Sequence, residues 1–131
     1  MLRLILAATI LAAPTLAFAD AAHGIWKTAT NDDGGYLEVT LAPCATEAAK
    51  TCGTITGAFT AQGSDPKYVN LGKPIVKDMS SSNGKHYSGG TIWDPEHDKT
   101  YKSKMNLEGN VLDVEGCISI ICSGQDWSRV K

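Results

Sequence analysis

The sequence predicts an all-β protein, a small antiparallel up-and-down barrel of about eight strands. Short segments of alternating apolar and polar residues recur at spacings of roughly ten to fourteen residues, and turn-forming residues separate them. A G-x-W motif, Gly24-Ile25-Trp26, opens the first segment, and Trp127-Ser128-Arg129 lies in the last. A G-x-W motif in the first strand and an aromatic residue with Arg in the last favour a sheet closed on itself, in which the first and last strands meet.

The first nineteen residues are expected to be an export signal. Arg3 supplies a positive charge, an apolar run from Leu4 to Leu16 follows, and Ala17-Phe18-Ala19 offers an A-x-A cleavage site. The run is shorter than the roughly 20 residues that a membrane-spanning helix needs. We therefore expect residues 1–19 to be cleaved and residues 20–131 to form a single β-barrel domain without an integral membrane segment. The expected location is the periplasm of a Gram-negative bacterium, or the outside of the cell.

The charge balance excludes a nucleic-acid-binding protein of the usual basic kind. The whole chain has 131 residues and a formal net charge of −2, and removal of the single basic residue of the signal makes the remainder more acidic. The lysines are scattered and form no basic block. No nucleic-acid partner is expected.

The first two strands are predicted from their alternation and from the turn between them. The first strand covers 24–30 and ends at the sequence N-D-D-G-G, whose residues tolerate positive φ as a hairpin turn requires. The second strand covers 36–42 and places Leu37, Val39 and Leu41 on one face. A half-buried antiparallel hairpin is expected here.

The remaining strands follow the same logic. The segment 61–73 carries glycines and an Asp-Pro pair, and is the longest irregular stretch. The turns 94–98 and 109–110 separate later strands. The six further strands are predicted at 53–60, 74–79, 85–93, 100–107, 111–116 and 125–130.

The four cysteines allow three disulfide pairings. We favour the local one, Cys44–Cys52 and Cys117–Cys122, because each pair brackets a turn between strands. Export to an oxidising compartment favours disulfides over free thiols. A zinc site is the alternative, but the spacing of the cysteines differs from that of a short C-x-x-C knuckle.

A series of short motifs then resembles a known family. The motifs are Gly24-x-Trp26, Cys44…Cys52-Gly53-x-Ile55, Gly89-Gly90-x-Ile92-x-Asp94-Pro95, Lys99-Thr100-Tyr101, Leu112-x-Val114-x-Gly116-Cys117 and Trp127-x-Arg129. In this order they resemble the exported bacterial family named domain of unknown function 2147, over essentially the whole chain after the signal. The resemblance implies a lipocalin-like small barrel and brings no established activity.

The resemblance also implies a structural role for Trp26 and Arg129. In lipocalins a Trp near the start of the first strand lies at the closed end of the barrel, and an Arg from the last strand packs across its ring. Such a cation–π contact is worth about 0.5–2 kcal/mol. One departure concerns the segment after Asp65, where family members often carry several Arg and this chain has only Lys67 and Lys73. If that segment binds an anion in relatives, it lacks the same donors here.

No metal, cofactor or catalytic site is predicted. The three histidines, His23, His86 and His97, are scattered and lack the spacing of metal ligands. The sequence Asp94-x-Glu96-x-Asp98 has the alternating carboxylates that open a calcium loop but lacks the glycine and the distal Glu that complete one. There is no G-x-S-x-G motif, and no thiol remains once the disulfides form. We therefore expect a protein that is not an enzyme.

Aromatic residues give the best functional lead. Tyr87 and Trp93 share parity on one predicted strand, and Tyr101 and Met105 share parity on the next, opposite to lysines. These four are the predicted ligand-binding residues, because aromatic and thioether side chains in a barrel mouth suit a small apolar or amphipathic ligand. The short strands favour an interior filled by side chains, with which a shallow pocket at one mouth is still compatible.

The sequence is therefore compatible with two functions. The first is an exported barrel that binds a small apolar or amphipathic ligand without catalysis, at the mouth opposite to Trp26 and Arg129. The alternative is a solid-cored envelope interaction protein that binds a protein or cell-wall partner through its outer surface or the 61–73 loop.

Overall fold

The structure is a computed structural model that describes residues 8–10 and 20–131. The predicted signal, residues 1–19, lies outside the described residues except for 8–10. Among the described residues, no helix has the length and apolar character needed to cross a membrane.

Nine strands make up the regular structure of the described part. They are β1 (Gly24–Lys27), β2 (Tyr36–Pro43), β3 (Thr51–Thr60), β4 (Gly63–Ser64), β5 (Pro74–Met79), β6 (His86–Asp94), β7 (Lys99–Glu108), β8 (Val111–Ile118) and β9 (Ile121–Arg129). Each predicted segment overlaps one of eight strands, but the first strand ends earlier than predicted, at Lys27, and the last begins earlier, at Ile121. The ninth, β4, is a two-residue strand at the start of the 61–73 segment and was not predicted.

The eight longer strands close into an antiparallel barrel. Each strand pairs with its neighbours along the chain, β3 pairs with β5, and β1 pairs with β9 to complete the ring. The closure is narrow: Trp26 pairs with Arg129 and Lys27 with Ser128, and Ile25 adds backbone hydrogen bonds to Val130 and Lys131. The short β4 lies against the end of β3 and takes no part in the ring. The predicted all-β, up-and-down barrel of eight strands is confirmed.

The up-and-down order places alternate connections at opposite ends of the barrel. One end carries the connections 28–35, 61–73, 95–98 and 119–120, and we call it the open end. The other end carries the connections 44–50, 80–85 and 109–110, together with the segment Asp20–His23 and the chain's last residues, and we call it the closed end.

Both disulfides have the predicted local pairing. Cys44 bonds to Cys52 across the closed-end connection between β2 and β3. Cys117 bonds to Cys122, and the two residues lie directly opposite each other in β8 and β9. The second disulfide therefore joins two strands close to a short hairpin turn, and β8 and β9 are both longer at this end than their alternation alone predicts.

The core fills the closed half of the barrel. Side chains at alternate positions are fully buried there, because one face of every strand points into the ring. The largest of them are Trp26, Val39, Leu41, Ile55, Val76, Met79, Tyr87, Met105 and Leu112. The expectation of a filled interior is correct for this half.

Candidate ligand-binding cavity

The closed end is sealed by the segment Asp20–His23, which Trp26 and Arg129 hold in place. The Trp26 indole N–H donates to the carbonyl of Ala22 at 2.8 Å. The Arg129 guanidinium lies over the Trp26 ring, 4.3 Å from its centroid. The same guanidinium donates to the carbonyl of His23 at 3.1 Å and to that of Ala21. Arg129 thus joins the last strand, the first strand and the segment before it.

Steric contacts at the closed end explain why the G-x-W motif begins with glycine. Gly24 has φ of +136°, a conformation that side chains rarely adopt. A Cβ at this position would lie 2.3 Å from the carbonyl oxygen of Lys131. That backbone is held in place by the hydrogen bond from the Ile25 N–H to the same oxygen, at 2.8 Å. Only glycine lets the two chain ends approach this closely.

Two of the four predicted ligand-binding residues belong to this closed half. The Tyr87 hydroxyl donates to the Asp20 carboxylate, and burial, reinforced by that carboxylate, raises the pKa of the Tyr87 phenol well above its ordinary value. Met105 lies opposite Tyr87 in the sheet and is fully buried. Their inward orientation agrees with the predicted parity of each. Neither residue lines the cavity described next.

A cavity of about 970 Å³ occupies the other half and opens at the open end. Its inner wall is apolar and partly aromatic, built from inward-facing strand residues and from the 61–73 segment. The wall residues are Leu37, Ala58, Tyr68, Ile92, Tyr101, Val114 and Trp127. This size is at the upper end of the roughly 300–1,000 Å³ typical of small-molecule sites. The expectation of a filled interior is therefore wrong for the open half.

Small residues at inward-facing positions create this space. In β8 the inward positions are Leu112, Val114 and then Gly116, so the side-chain volume falls to nothing toward the open end. A Cβ at Gly116 would lie 3.4 Å from the Cβ of Tyr101 and 3.5 Å from Ile92. These are ordinary contact distances, so a larger side chain at 116 would extend into the cavity.

Tyr101, one of the four predicted ligand-binding residues, lies on the cavity wall. It pairs with Ile92 on the inner face. Within the part of the chain that the structure describes, no hydrogen bond is made by its hydroxyl. A phenol with free hydrogen-bonding capacity therefore faces the space that a ligand would fill.

Trp93 lines the cavity only at its rim, and the prediction that Trp93 lies on the same face of the strand as Tyr87 is wrong. A β-bulge between Tyr87 and Gly90 inverts the alternation of β6, so that Ile92 faces inward and Trp93 pairs with the exposed Thr100. Gly89 has φ of +82° in this bulge. The Trp93 indole donates to the Asp98 carboxylate at 2.9 Å and also borders an outer groove of about 280 Å³.

Polar groups fix the loops around the mouth. The amide of Asn31 donates to Glu96 at 3.3 Å and so links the first loop to the third. The Asp94 carboxylate accepts from the backbone N–H of Glu96 at 3.0 Å and lies 2.8 Å from the His97 ring nitrogen. The alternating carboxylates of this loop therefore serve turn contacts.

The fourth loop is apolar. The tip of the β8–β9 hairpin carries Ile118, Ile120 and Ile121, which are 68%, 94% and 75% exposed. Ile118 and Ile121 border the cavity. The Cys117–Cys122 disulfide lies directly behind this tip, so the isoleucines extend from a covalently fixed base.

Much of the cavity wall was not singled out from the sequence. Ala58 and Tyr68 belong to no motif. Ile92 and Trp127 belong to motifs of the family resemblance, but neither was predicted to bind a ligand. Trp127 and Arg129 do share the inner face of β9, but they lie two residues apart along the barrel axis, so one lines the cavity and the other seals the end. The available signal was the volume pattern Leu112, Val114, Gly116.

Comparisons with known proteins agree with this architecture. The family model described as "Uncharacterized protein conserved in bacteria (DUF2147)" matches residues 24–129. No curated protein sequence matches the chain. The solved structure of protein HP1028 from the human pathogen Helicobacter pylori, described as belonging to the lipocalin family, is similar with a TM-score of 0.62 and 15% identity. The similarity covers 83% of this chain and 82% of that one. The chain is a lipocalin-like barrel and belongs to the DUF2147 family.

Proposed function

We propose that the protein is an exported barrel that binds one small apolar or amphipathic ligand in the cavity at its open end, without catalysis. The observation that carries the proposal is the cavity of about 970 Å³ between a packed closed half and four mouth loops. Burial of an apolar ligand there would remove apolar surface from water at roughly 25 cal/mol per Å². The lipocalin-like fold supports the same proposal, because small barrels of this kind commonly hold one ligand.

Export from the cytoplasm is part of this proposal. The two disulfides fit an oxidising compartment outside the cytoplasm. The A-x-A motif at Ala17–Ala19 would then give a product that begins at Asp20, whose carboxylate accepts a hydrogen bond from Tyr87. Residues 20–131 would form the single mature domain.

The binding residues proposed are those of the cavity rather than the original four. Tyr101 keeps its role on the wall, and Trp93 keeps a place at the rim. Tyr87 and Met105 are proposed as packing residues beneath the cavity floor. Trp127 joins the wall, where its fluorescence would report on a bound ligand.

The proposal is tested with a neutral fluorescent apolar probe, N-phenyl-1-naphthylamine. Wild-type protein should enhance the probe's emission saturably, with one site per chain. Gly116→Leu should weaken this binding, because the new side chain takes up part of the space over Tyr101. Ser128→Leu adds the same side chain on the exposed outer face of β9 and should bind like wild type. Wild-type protein without saturable binding, or unchanged binding by folded Gly116→Leu, would contradict the proposal.

An envelope interaction protein is the second candidate. Its premise of a solid core does not fit the cavity, but exposed apolar residues at the open end favour a contact surface. Val69 in the 61–73 loop is 78% exposed and Ile120 is 94% exposed. A pull-down from envelope extract, compared between wild type and a variant with Val69→Ser and Ile120→Ser, separates this candidate from the first.

A further inference from the structure

The charged side chains that line the cavity all have the same sign. They are Asp33, Asp65, Asp94 and Glu96. Among the described residues, no lysine, arginine or histidine lines this cavity. Asp33, Asp65 and Glu96 come from three different mouth loops, and Asp94 ends β6. The four carboxylates therefore surround the entrance instead of forming one local turn.

The nearby basic groups do not neutralise the entrance from inside. The His97 ring nitrogen lies 2.8 Å from the Asp94 carboxylate, and its side chain is mostly exposed and does not line the cavity. The Lys73 ammonium donates to Asn70 at 2.9 Å and borders the outer groove. Lys67 is exposed in the 61–73 segment and does not line the cavity.

Aromatic side chains line the same cavity. Tyr101 and Trp127 form part of the wall, Tyr68 contributes from the 61–73 segment, and Trp93 lies at the rim. Carboxylates and aromatic rings provide the two kinds of group that attract an organic cation: opposite charge and the negative face of a π system. A carboxylate or sulfate headgroup would meet four like charges at the same entrance.

We propose that the cavity selects amphipathic cations, molecules with an apolar body and an ammonium or quaternary ammonium head, and discriminates against fatty acids and other anionic amphiphiles. This inference rests on the proposed function, because it names the class of ligand for the same cavity. The apolar body occupies the space over Tyr101 and Trp127. The cationic head stays at the mouth among the carboxylates, where it keeps part of its hydration and avoids the cost of burying a charge.

The test compares three ligands that share a ten-carbon chain and differ in the head: decyltrimethylammonium, decanol and decanoate. Binding is followed by displacement of N-phenyl-1-naphthylamine, below the concentration at which micelles form. At low ionic strength the cation should bind about tenfold more tightly than decanoate, with decanol between them. The ratio should fall as salt is raised, because the groups at the mouth are solvent-exposed and therefore screened.

Isosteric variants locate the effect. Asp65→Asn and Glu96→Gln keep the acceptor oxygens that bind the Lys67 N–H and the Asn31 amide, but each removes one charge. Each should weaken binding of the cation by about threefold, as expected for one unit charge at roughly 8 Å in a largely aqueous setting. Decanol binding should not change. Glu108→Gln, at the closed end of β7, removes the same charge and should leave all three affinities unchanged.

The outcomes separate this inference from the proposed function. Equal affinities for the three ligands, or tighter binding of decanoate, would overturn the selection of cations while leaving ligand binding intact. Failure of the protein to bind any of the three, or the naphthylamine probe, would overturn both.

Discussion

Arg129→Ala tests the assignment of the closed end most informatively. The substitution removes the guanidinium 4.3 Å from the Trp26 ring centroid and its hydrogen bonds to the carbonyls of Ala21 and His23. A partly desolvated cation–π contact contributes about 0.5–2 kcal/mol, and hydrogen bonds from a charged donor contribute about 1.5–3 kcal/mol where they are buried. Because this guanidinium is only partly buried, the expected loss of unfolding free energy is about 2–4 kcal/mol in total.

The assay is urea and thermal denaturation followed by far-ultraviolet circular dichroism. For a domain of this size a loss of 1 kcal/mol lowers Tm by roughly 4 °C, so Tm should fall by about 8–16 °C. Lys27→Ala is the matched control, because the Lys27 ammonium also lies 4.3 Å from an aromatic centroid, that of Tyr36. It lies on the outer face and has no comparable links to the chain ends, so its removal should cost less than about 1 kcal/mol.

Binding of N-phenyl-1-naphthylamine provides the second readout. Well below the lowered Tm, Arg129→Ala should bind the probe as wild type does, because Arg129 and the cavity lie at opposite ends of the barrel. Lost binding with unchanged stability would refute the reasoning and place the site at the closed end. Equal stability losses for Arg129→Ala and Lys27→Ala would show that the contacts to the Asp20–His23 segment contribute nothing.

Three further predictions concern stability. Reduction of each disulfide should lower the free energy of unfolding by at most about 2–3 kcal/mol, since each closes a loop of fewer than ten residues. Peptide mass mapping should find Cys44 bonded to Cys52 and Cys117 bonded to Cys122. A bond between a cysteine of one pair and a cysteine of the other would contradict the pairing. Gly24→Ala should destabilise the protein by more than Gly63→Ala in urea denaturation, because both have positive φ but only Gly24 lies against a backbone oxygen, and equal losses would remove the steric argument. The pKa of the Tyr87 phenol is raised in the folded protein, so the unfolded chain loses this proton first as the pH rises. The stabilisation from the protonated phenol is therefore complete below about pH 10, and above it the free energy of unfolding falls by up to about 1.4 kcal/mol per pH unit. Tyr87→Phe should flatten this alkaline loss, and an unchanged slope would contradict the assignment.

The fold could be predicted from the sequence because its signals are local. The alternation of Leu37, Val39 and Leu41 and the turn residues between strands define period and boundaries without any knowledge of the partners. The ends of β8 and β9 were harder to predict, because the cysteines and isoleucines around their two-residue turn are not typical turn residues. The structure there depends on the direct pairing of Cys117 with Cys122.

The site was harder to predict because it depends on depth along the barrel axis. The alternation of residues along the strands predicts that Tyr87 and Met105 face inward. It does not predict their depth in the barrel, and both lie beneath the cavity. The bulge at Gly89 then inverted the parity of Trp93. Two consecutive glycines in a strand do indicate a bulge, and Gly90 has a second constraint, since a Cβ there would lie 2.0 Å from the Lys77 carbonyl oxygen.

The acidic character of the mouth also needs the folded structure. Asp33, Asp65 and Glu96 are far apart in the sequence and read individually as turn residues. The barrel topology brings their loops to one end, and among the described residues no basic side chain lines the cavity beside them. Closure of the barrel brings these carboxylates together, and no local sequence pattern predicts it.

Native mass spectrometry of the protein, purified from its own host without detergent, tests the central claim most directly. We predict a population whose mass exceeds that of the disulfide-bonded chain by one small amphipathic molecule. This population should be smaller in Gly116→Leu and unchanged in Ser128→Leu. A wild-type spectrum that shows only the bare chain, together with the absence of saturable binding of N-phenyl-1-naphthylamine, would contradict the account.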